Sequence, residues 1–252
     1  MKNYHTHTTR CMHAIGSEEE YILAAISAGY TELGFSDHTP WHYESGYHAT
    51  MRMDESQLED YVHTLSVLRD KYKDKISIKI GLECEYFEDK MEWLKEQLEK
   101  YKLDYIILGN HFDGSDETGI YYGHPVSLEE LKRYVSQVIK AMDTGLFSYV
   151  AHPDVVFYDE KNQEHIDELE KICIHAAEID MPLEFNLLGY KAMRHYPSQT
   201  FIDLCKKHHN RIIIGTDAHE PSALKDTKTY NCAYAYLKES VLEITEDIKM
   251  LR

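Results

Sequence analysis

The chain has 252 residues and a formal net charge of −17, with 43% hydrophobic and 28% charged residues. That size suits one globular domain with a large core, and the acidic balance argues against nucleic acid or an anionic membrane as partner. No run of about 18 apolar residues occurs, so no membrane span or leader is expected; five cysteines with no CxxC pair suit free thiols in a reducing cytoplasm.

Strand and helix patterns alternate along the whole chain. KNYHTH reads as strand one. Residues 17–30 read as an amphipathic helix with Ser17 as N-cap, Glu20 at the capping-box position and Gly29 near the C-terminal end. TELGFSDH is strand two, 39–53 a polar loop, and 54–73 a helix opened by Asp54. ISIKIGLECEYF is strand three, with β-branched alternation. A helix over 88–100 follows, then LDYIILGNH as strand four, an apolar run of the kind buried on both faces of a parallel sheet. Residues 112–126 form a long loop. A helix over 127–143 has Ser127 as cap and Glu130 three residues on. LFSYVAH is strand five, 161–180 a helix, PLEFN strand six, 198–209 a helix capped by Ser198, RIIIGTDAH strand seven and 232–247 a last helix. Seven βα units with no linker or composition shift predict one α/β domain over 1–252, its parallel sheet closed into a (β/α) barrel.

In such a barrel the strand C-termini converge on one mouth. His5 and His7 follow strand one and share a side, being two apart. His13 lies in the next loop. Asp37 and His38 follow strand two, Glu83 strand three, His111 strand four, His152 strand five, and Asp217 and His219 strand seven. A carboxylate at the position of Glu83, on a strand otherwise apolar or small inside, is costly unless paired or metal-bound. A ring of imidazoles and carboxylates at one mouth predicts a site for more than one metal ion. Cys11 and Cys84 lie beside these residues, either touching metal or packing near it.

The stretches HTHTTRCMHA, GFSDH, GLECEYF, LGNHF, AHPD and GTDAHE resemble the PHP (polymerase and histidinol phosphatase) family, in the family's order, from residue 5 to residue 220. The resemblance implies a distorted (β/α)7 barrel with three divalent ions, Zn, Mn or Fe, at the C-terminal mouth. It implies a first site of His5, His7, Glu83 and Asp217, a second of Glu83, His111 and His152, and a third of His13, His38 and His219. Ions about 3.5–4 Å apart suit phosphoryl transfer to water, with a bridging hydroxide as nucleophile. Asp37 or His42 is a candidate general acid, and Asp37 could instead orient a ligand. Arg194 is the first choice for gripping phosphate, with Lys191, Arg10 and Asn186 as further substrate-binding candidates.

The family's small single-domain activity is hydrolysis of L-histidinol phosphate in histidine biosynthesis, so a metal-dependent phosphomonoesterase acting on that small substrate is expected. SDHTP after strand two and an asparagine ending strand six fit that branch; the span from His111 to His152 is shorter than its usual helical insertion. Asp113, Asp116 or Glu44 could receive the substrate's amine, and Tyr47, Tyr121 or Tyr122 could stack on its ring. Alternatives are a PHP phosphoesterase for a nucleotide, sugar phosphate or phosphotyrosine, and a non-catalytic metal-binding module. An amidohydrolase with a bridging lysine carbamate fits less well, because no lysine stands at a strand end.

Overall fold

Parallel pairing joins β1 (Lys2–Asn3), β2 (Glu32–His38), β3 (Ser77–Cys84) and β4 (Tyr105–Leu108) in that order in the computed structural model, which describes residues 1–251. A second parallel run joins β5 (Leu183–Asn186), β6 (Arg211–Gly215) and β7 (Glu243–Thr245). Val150 bridges Leu108 on one side and Leu183 on the other, and Thr6 bridges Ala218. The His7 amide donates to the Ala218 carbonyl at 2.9 Å and the Ala218 amide to the His5 carbonyl at 3.1 Å. The result is an α/β fold on a curled parallel sheet.

Nine α-helices are described: α1 (Glu18–Ser27), α2 (Leu58–Tyr72), α3 (Met91–Tyr101), α4 (Leu128–Asp143), α5 (Gln163–Glu178), α6 (Leu187–Lys191), α7 (Gln199–Lys207), α8 (Pro221–Lys225) and α9 (Thr227–Glu239). Capping boxes form at Ser17/Glu20 and Ser127/Glu130, and the Ser198 hydroxyl accepts from the Phe201 amide. No helix among the described residues is long and apolar enough to cross a membrane.

Two expectations need correction. Strand five contracts to the bridge at Val150. Below it the next ladder donor would be the amide of Pro182, and proline has none. Above it the His152 amide donates to the Glu184 side chain at 2.9 Å instead of to a strand carbonyl. The last helix begins at Thr227 and stops at Glu239; Val241 then takes a left-handed φ of 60°, and the β-branched EIT segment pairs with β6 as β7.

Helices and sheet share one large apolar core running from Tyr21 to Leu242. A smaller cluster of Tyr4, Tyr105, Ile107, Tyr149, Ala151 and Ile213 comes from side chains of β4, β6 and the Thr6 and Val150 segments. The Tyr105 ring lies where a Cβ on Gly34 or Gly81 would collide with it, and its hydroxyl donates to the Tyr4 carbonyl at 2.7 Å. This packed floor supports the polar residues at the strand ends.

Candidate metal centre

The carboxylate of Glu83, buried at the end of β3, is surrounded by imidazoles. His152 Nε2 lies 2.8 Å from its Oε1, and His38 Nδ1 3.0 Å from its Oε2. His7, His5 and His111 place their Nε2 atoms 3.4, 3.5 and 3.5 Å from it. The second carboxylate, Asp217, lies 3.3 Å from His7 Nε2 and 3.4 Å from His5 Nε2. Space for these groups comes from glycine on the neighbouring chain segment. A Cβ on Gly109 would overlap Glu83 Oε1, and one on Gly215 would overlap Glu184 Oε1.

Surrounding acceptors set which nitrogens face inward. His5 Nδ1 hydrogen-bonds Glu184 Oε1 at 2.8 Å, which turns Nε2 toward Glu83 and Asp217. His13 Nδ1 donates to the Cys11 carbonyl at 2.6 Å and His219 Nδ1 to the Asp217 carbonyl at 3.1 Å. Their two Nε2 atoms then face each other at 2.9 Å, lone pair to lone pair unless a proton or cation lies between. Asp37 accepts from the Thr8 amide at 3.1 Å and from the Thr8 hydroxyl, and its other oxygen lies 3.5 Å from His7 Nδ1.

Several of these atoms are buried without a hydrogen-bond partner among the described residues: His5 Nε2, both nitrogens of His7, and Asp217 Oδ1. Orphaned buried polar atoms are costly, and here they aim at one another. Ligand atoms of His5, His7 and Glu83 lie within 4.8 Å of one another, as do those of His5, His152 and Asp217 and of His7, His38 and His219. The donor set fits divalent cations of the Zn, Mn or Fe type. The site's field favours positive charge: burial opposes charge on His5, but Glu184, Asp217 and Glu83 outweigh it and hold the imidazole well above its ordinary pKa, so a bound cation would compete with a proton at this ring. Burial likewise opposes the Glu83 carboxylate, and His38, His111 and His5 outweigh it and hold the group well below its usual range.

A cleft of about 270 Å³ opens over this cluster, lined by His7, His13, His38, Glu83, His111, His152, Asp217 and His219 with Arg194, Tyr121 and Tyr196. His5 lies fully buried beneath. Arg194 donates to the Tyr196 hydroxyl at 2.6 Å. The nine expected ligand residues and Arg194 are therefore brought together.

Other expected site residues are not. His42 hydrogen-bonds Glu55 at 2.7 Å and lines a separate surface cleft, so it is not placed to act as the acid. Asp37 is fully buried with an oxygen committed to Thr8, which suits orientation of His7 rather than proton donation. Arg10 is spent on Glu18 and Asp60 and stacks over Tyr61. Lys191 pairs with Asp226 at 2.7 Å in an adjoining groove. Asn186 is buried, donating to Glu184 at 3.0 Å and Asp217 at 3.1 Å and accepting from the Gly189 amide, so it braces the site instead of meeting substrate. Asp113 pairs with Arg133, Asp116 with Arg52, and Tyr122 is buried. Glu44 is exposed in its loop, and Tyr47 donates to the Asp116 carbonyl.

Glu184 was overlooked, although it stands in an apolar strand just as Glu83 does. Its oxygens take His5 Nδ1, the His152 amide and the Asn186 amide group. Glu184→Gln puts an NH2 where only donors point. It is expected to weaken divalent-metal affinity about 10–100-fold, read by titrating metal-free protein with Zn(II) against a chromophoric chelator; unchanged affinity would remove Glu184 from this role.

The PHP domain family matches residues 3–187. The chain is 26% identical over 232 residues to a probable histidinol-phosphatase of Deinococcus radiodurans, covering 86% of this chain and 85% of the relative. It is 27% identical over 250 residues to the histidinol-phosphatase of Bacillus subtilis, covering 86% and 92%. In fold it resembles histidinol phosphate phosphatase of Lactococcus lactis, solved with Zn, L-histidinol and phosphate, with a TM-score of 0.74 at 20% identity over 100% of this chain and 98% of that one. A putative histidinol phosphatase of Listeria monocytogenes has the same TM-score of 0.74 at 22% identity, covering 92% of this chain and 100% of that one. With the family's model matched over most of its residues, this chain belongs to the PHP domain family.

Proposed function

We propose that this chain is a metal-dependent phosphomonoesterase that hydrolyses L-histidinol phosphate to L-histidinol and phosphate, as a single domain over 1–252. The observation that carries the reading is the set of buried, unpartnered imidazole nitrogens aimed at Glu83 and Asp217, at a cleft that Arg194 also lines. The names of the relatives, and the histidinol and phosphate bound by the Lactococcus protein, support the substrate. The rungs at Val150 and at Thr6/Ala218 support closure of the curled sheet as a distorted (β/α)7 barrel with the site at its C-terminal mouth.

Three divalent ions would be held by His5, His7, Glu83 and Asp217; by Glu83, His111 and His152; and by His13, His38 and His219. Bound there, they would supply Lewis acidity, lowering the pKa of water and neutralising phosphoryl oxygens. Glu184 and Asp37 hold the rings of His5 and His7 in orientation. The Arg194 guanidinium grips the phosphoryl oxygens. By accepting from Arg194, the Tyr196 hydroxyl fixes that group's direction and keeps its own proton to donate toward phosphate. The aromatic floor of Tyr4, Tyr105 and Tyr149 excludes water from below.

The test is phosphate release by Zn- or Mn-loaded protein from L-histidinol phosphate, p-nitrophenyl phosphate, a nucleoside monophosphate and a phosphotyrosine peptide. A kcat/KM for histidinol phosphate at least about a thousandfold above the others is expected, within the usual range of about 10⁴–10⁸ M⁻¹s⁻¹. Low, flat activity across the panel would remove histidinol phosphate as the substrate. Arg194→Ala is expected to lower kcat/KM about 10²–10³-fold, with Arg194→Lys recovering only part because an ammonium lacks the two-pronged grip. Equal activity of Arg194→Ala and the parent would take Arg194 out of phosphate binding.

A further inference from the structure

Cys11 ends a single 3₁₀ turn, Thr9–Cys11, that follows the His5–His7 segment. The turn is capped by the Thr8 side chain, and Met12 reverses the chain with a φ of 67°. That reversal brings His13 back over Cys11, where its Nδ1 takes the Cys11 carbonyl at 2.6 Å. Cys11 is fully buried, while His13, two residues on, lines the cleft. Its sulfur and the ligand nitrogens of His13 and His219 all lie within 4.8 Å of one another, and it falls in a second such group with His7 and Asp37.

We propose that the Cys11 sulfur is itself a metal ligand, joining His13 and His219 in holding the outermost cation of the centre. The proposal rests on the metal-centre reading above and adds a thiolate to a site otherwise expected to be all imidazole. One observation independent of the cysteine points to a cation there. The Nε2 atoms of His13 and His219 face each other at 2.9 Å with both Nδ1 atoms committed to carbonyls. A site of His13, His38 and His219 alone carries no anionic ligand. Cys11 supplies one negative charge, and its softness directs the position toward Zn(II) or another thiophilic ion and away from Mn(II).

Cobalt(II) substitution tests this without reference to turnover. Metal-free protein is titrated with Co(II), and the visible ligand-field bands and the near-ultraviolet sulfur-to-cobalt charge-transfer band are followed together. The expected result is ligand-field bands in the parent, Cys11→Ser and Cys11→Ala alike, with the charge-transfer band in the parent alone. Preference for Zn(II) over Mn(II) in competition is expected to fall at least about tenfold in both variants. Ligand-field bands with no charge-transfer band in the parent, or a band that survives in both variants, overturns the assignment of Cys11 and leaves the histidine centre standing. Absence of any Co(II) uptake by the parent overturns the centre as well. Thermal unfolding of the metal-free variants separates a folding defect from a lost ligand, and Cys11→Ser, nearly isosteric, is the variant that keeps the fold.

Discussion

Glu83→Gln is expected to lower kcat by on the order of a thousandfold or more, the upper range for removing one preorganised charged group from an active site, and to reduce the metal content of the purified protein. Glu83 is the hub of the cluster. His152, His38, His7, His5 and His111 all lie within 3.5 Å of its oxygens. Glutamine has nearly the same volume, so the space left by Gly109 still accommodates it and the core beneath is untouched. What changes is one negative charge and one acceptor. The amide NH2 must face an imidazole nitrogen that needs an acceptor or a cation. Kinetics and elemental analysis of the same sample decide the matter: more than about a tenth of the parent's kcat with full metal content would remove Glu83 from the centre of the chemistry. Gly109→Ala approaches the same loss by another route. It keeps the carboxylate but forces it out of place, because the added methyl overlaps Oε1.

Much of this arrangement was legible in the residues because it follows from local rules. Ser17/Glu20 and Ser127/Glu130 cap their helices through contacts three residues apart, which spacing alone reveals. Glu83 stood out because a carboxylate in an apolar strand demands a partner. Glu184 obeys the same rule in strand six, two residues before Asn186, and was passed over there. The misread residues are those whose meaning depends on distant partners. Arg10 and Lys191 stand between or beside the expected ligands as free cations in the sequence. In the fold, Glu18, Asp60 and Asp226 claim them, and a one-dimensional reading has no means of counting carboxylates that arrive from other elements. Strand five was shortened by Pro182, which lies on its neighbour and not in the strand itself, and β7 was absorbed into a helix because its three residues are too few to show a period.

The buried ion network around Arg52 has the largest expected effect on stability. Arg52 is 1% exposed, yet four of the five N–H groups of its guanidinium find acceptors. It donates to Glu85 Oε1 at 2.6 Å, to Glu85 Oε2 and the Thr39 carbonyl at 2.9 Å each, and to Asp116 Oδ2 at 2.8 Å. It thus ties the loop after β2 to the end of β3 and to the loop after β4. Arg52→Met leaves two carboxylates buried without their counter-charge, and is expected to cost about 3–5 kcal/mol. Arg52→Lys recovers only part, because one ammonium cannot span both acids. The pH dependence has a definite sign. Burial alone would raise the Glu85 carboxyl, but the Arg52 charge and the nearby His111 outweigh it and hold the group well below its usual range. A depressed carboxylate contributes stability that is fully present above its unfolded value of about 4.3 and is lost as pH falls toward the folded value. With Arg52 gone, burial acts against less opposition and the carboxyl takes up a proton more readily on acidification, which relieves the variant while the parent weakens. The gap between parent and Arg52→Met in urea unfolding is therefore expected to be widest near neutral pH and to narrow toward about pH 4. A gap that stays constant with pH, or one below about 1 kcal/mol at neutral pH, would mean that the network is not what holds these loops. Because Glu85 Oε1 also lies 3.5 Å from His111 Nδ1, the same substitution reaches the candidate metal centre. Looser metal binding in Arg52→Met, at temperatures where it remains folded, would show that the loop clasp and the orientation of His111 are one device.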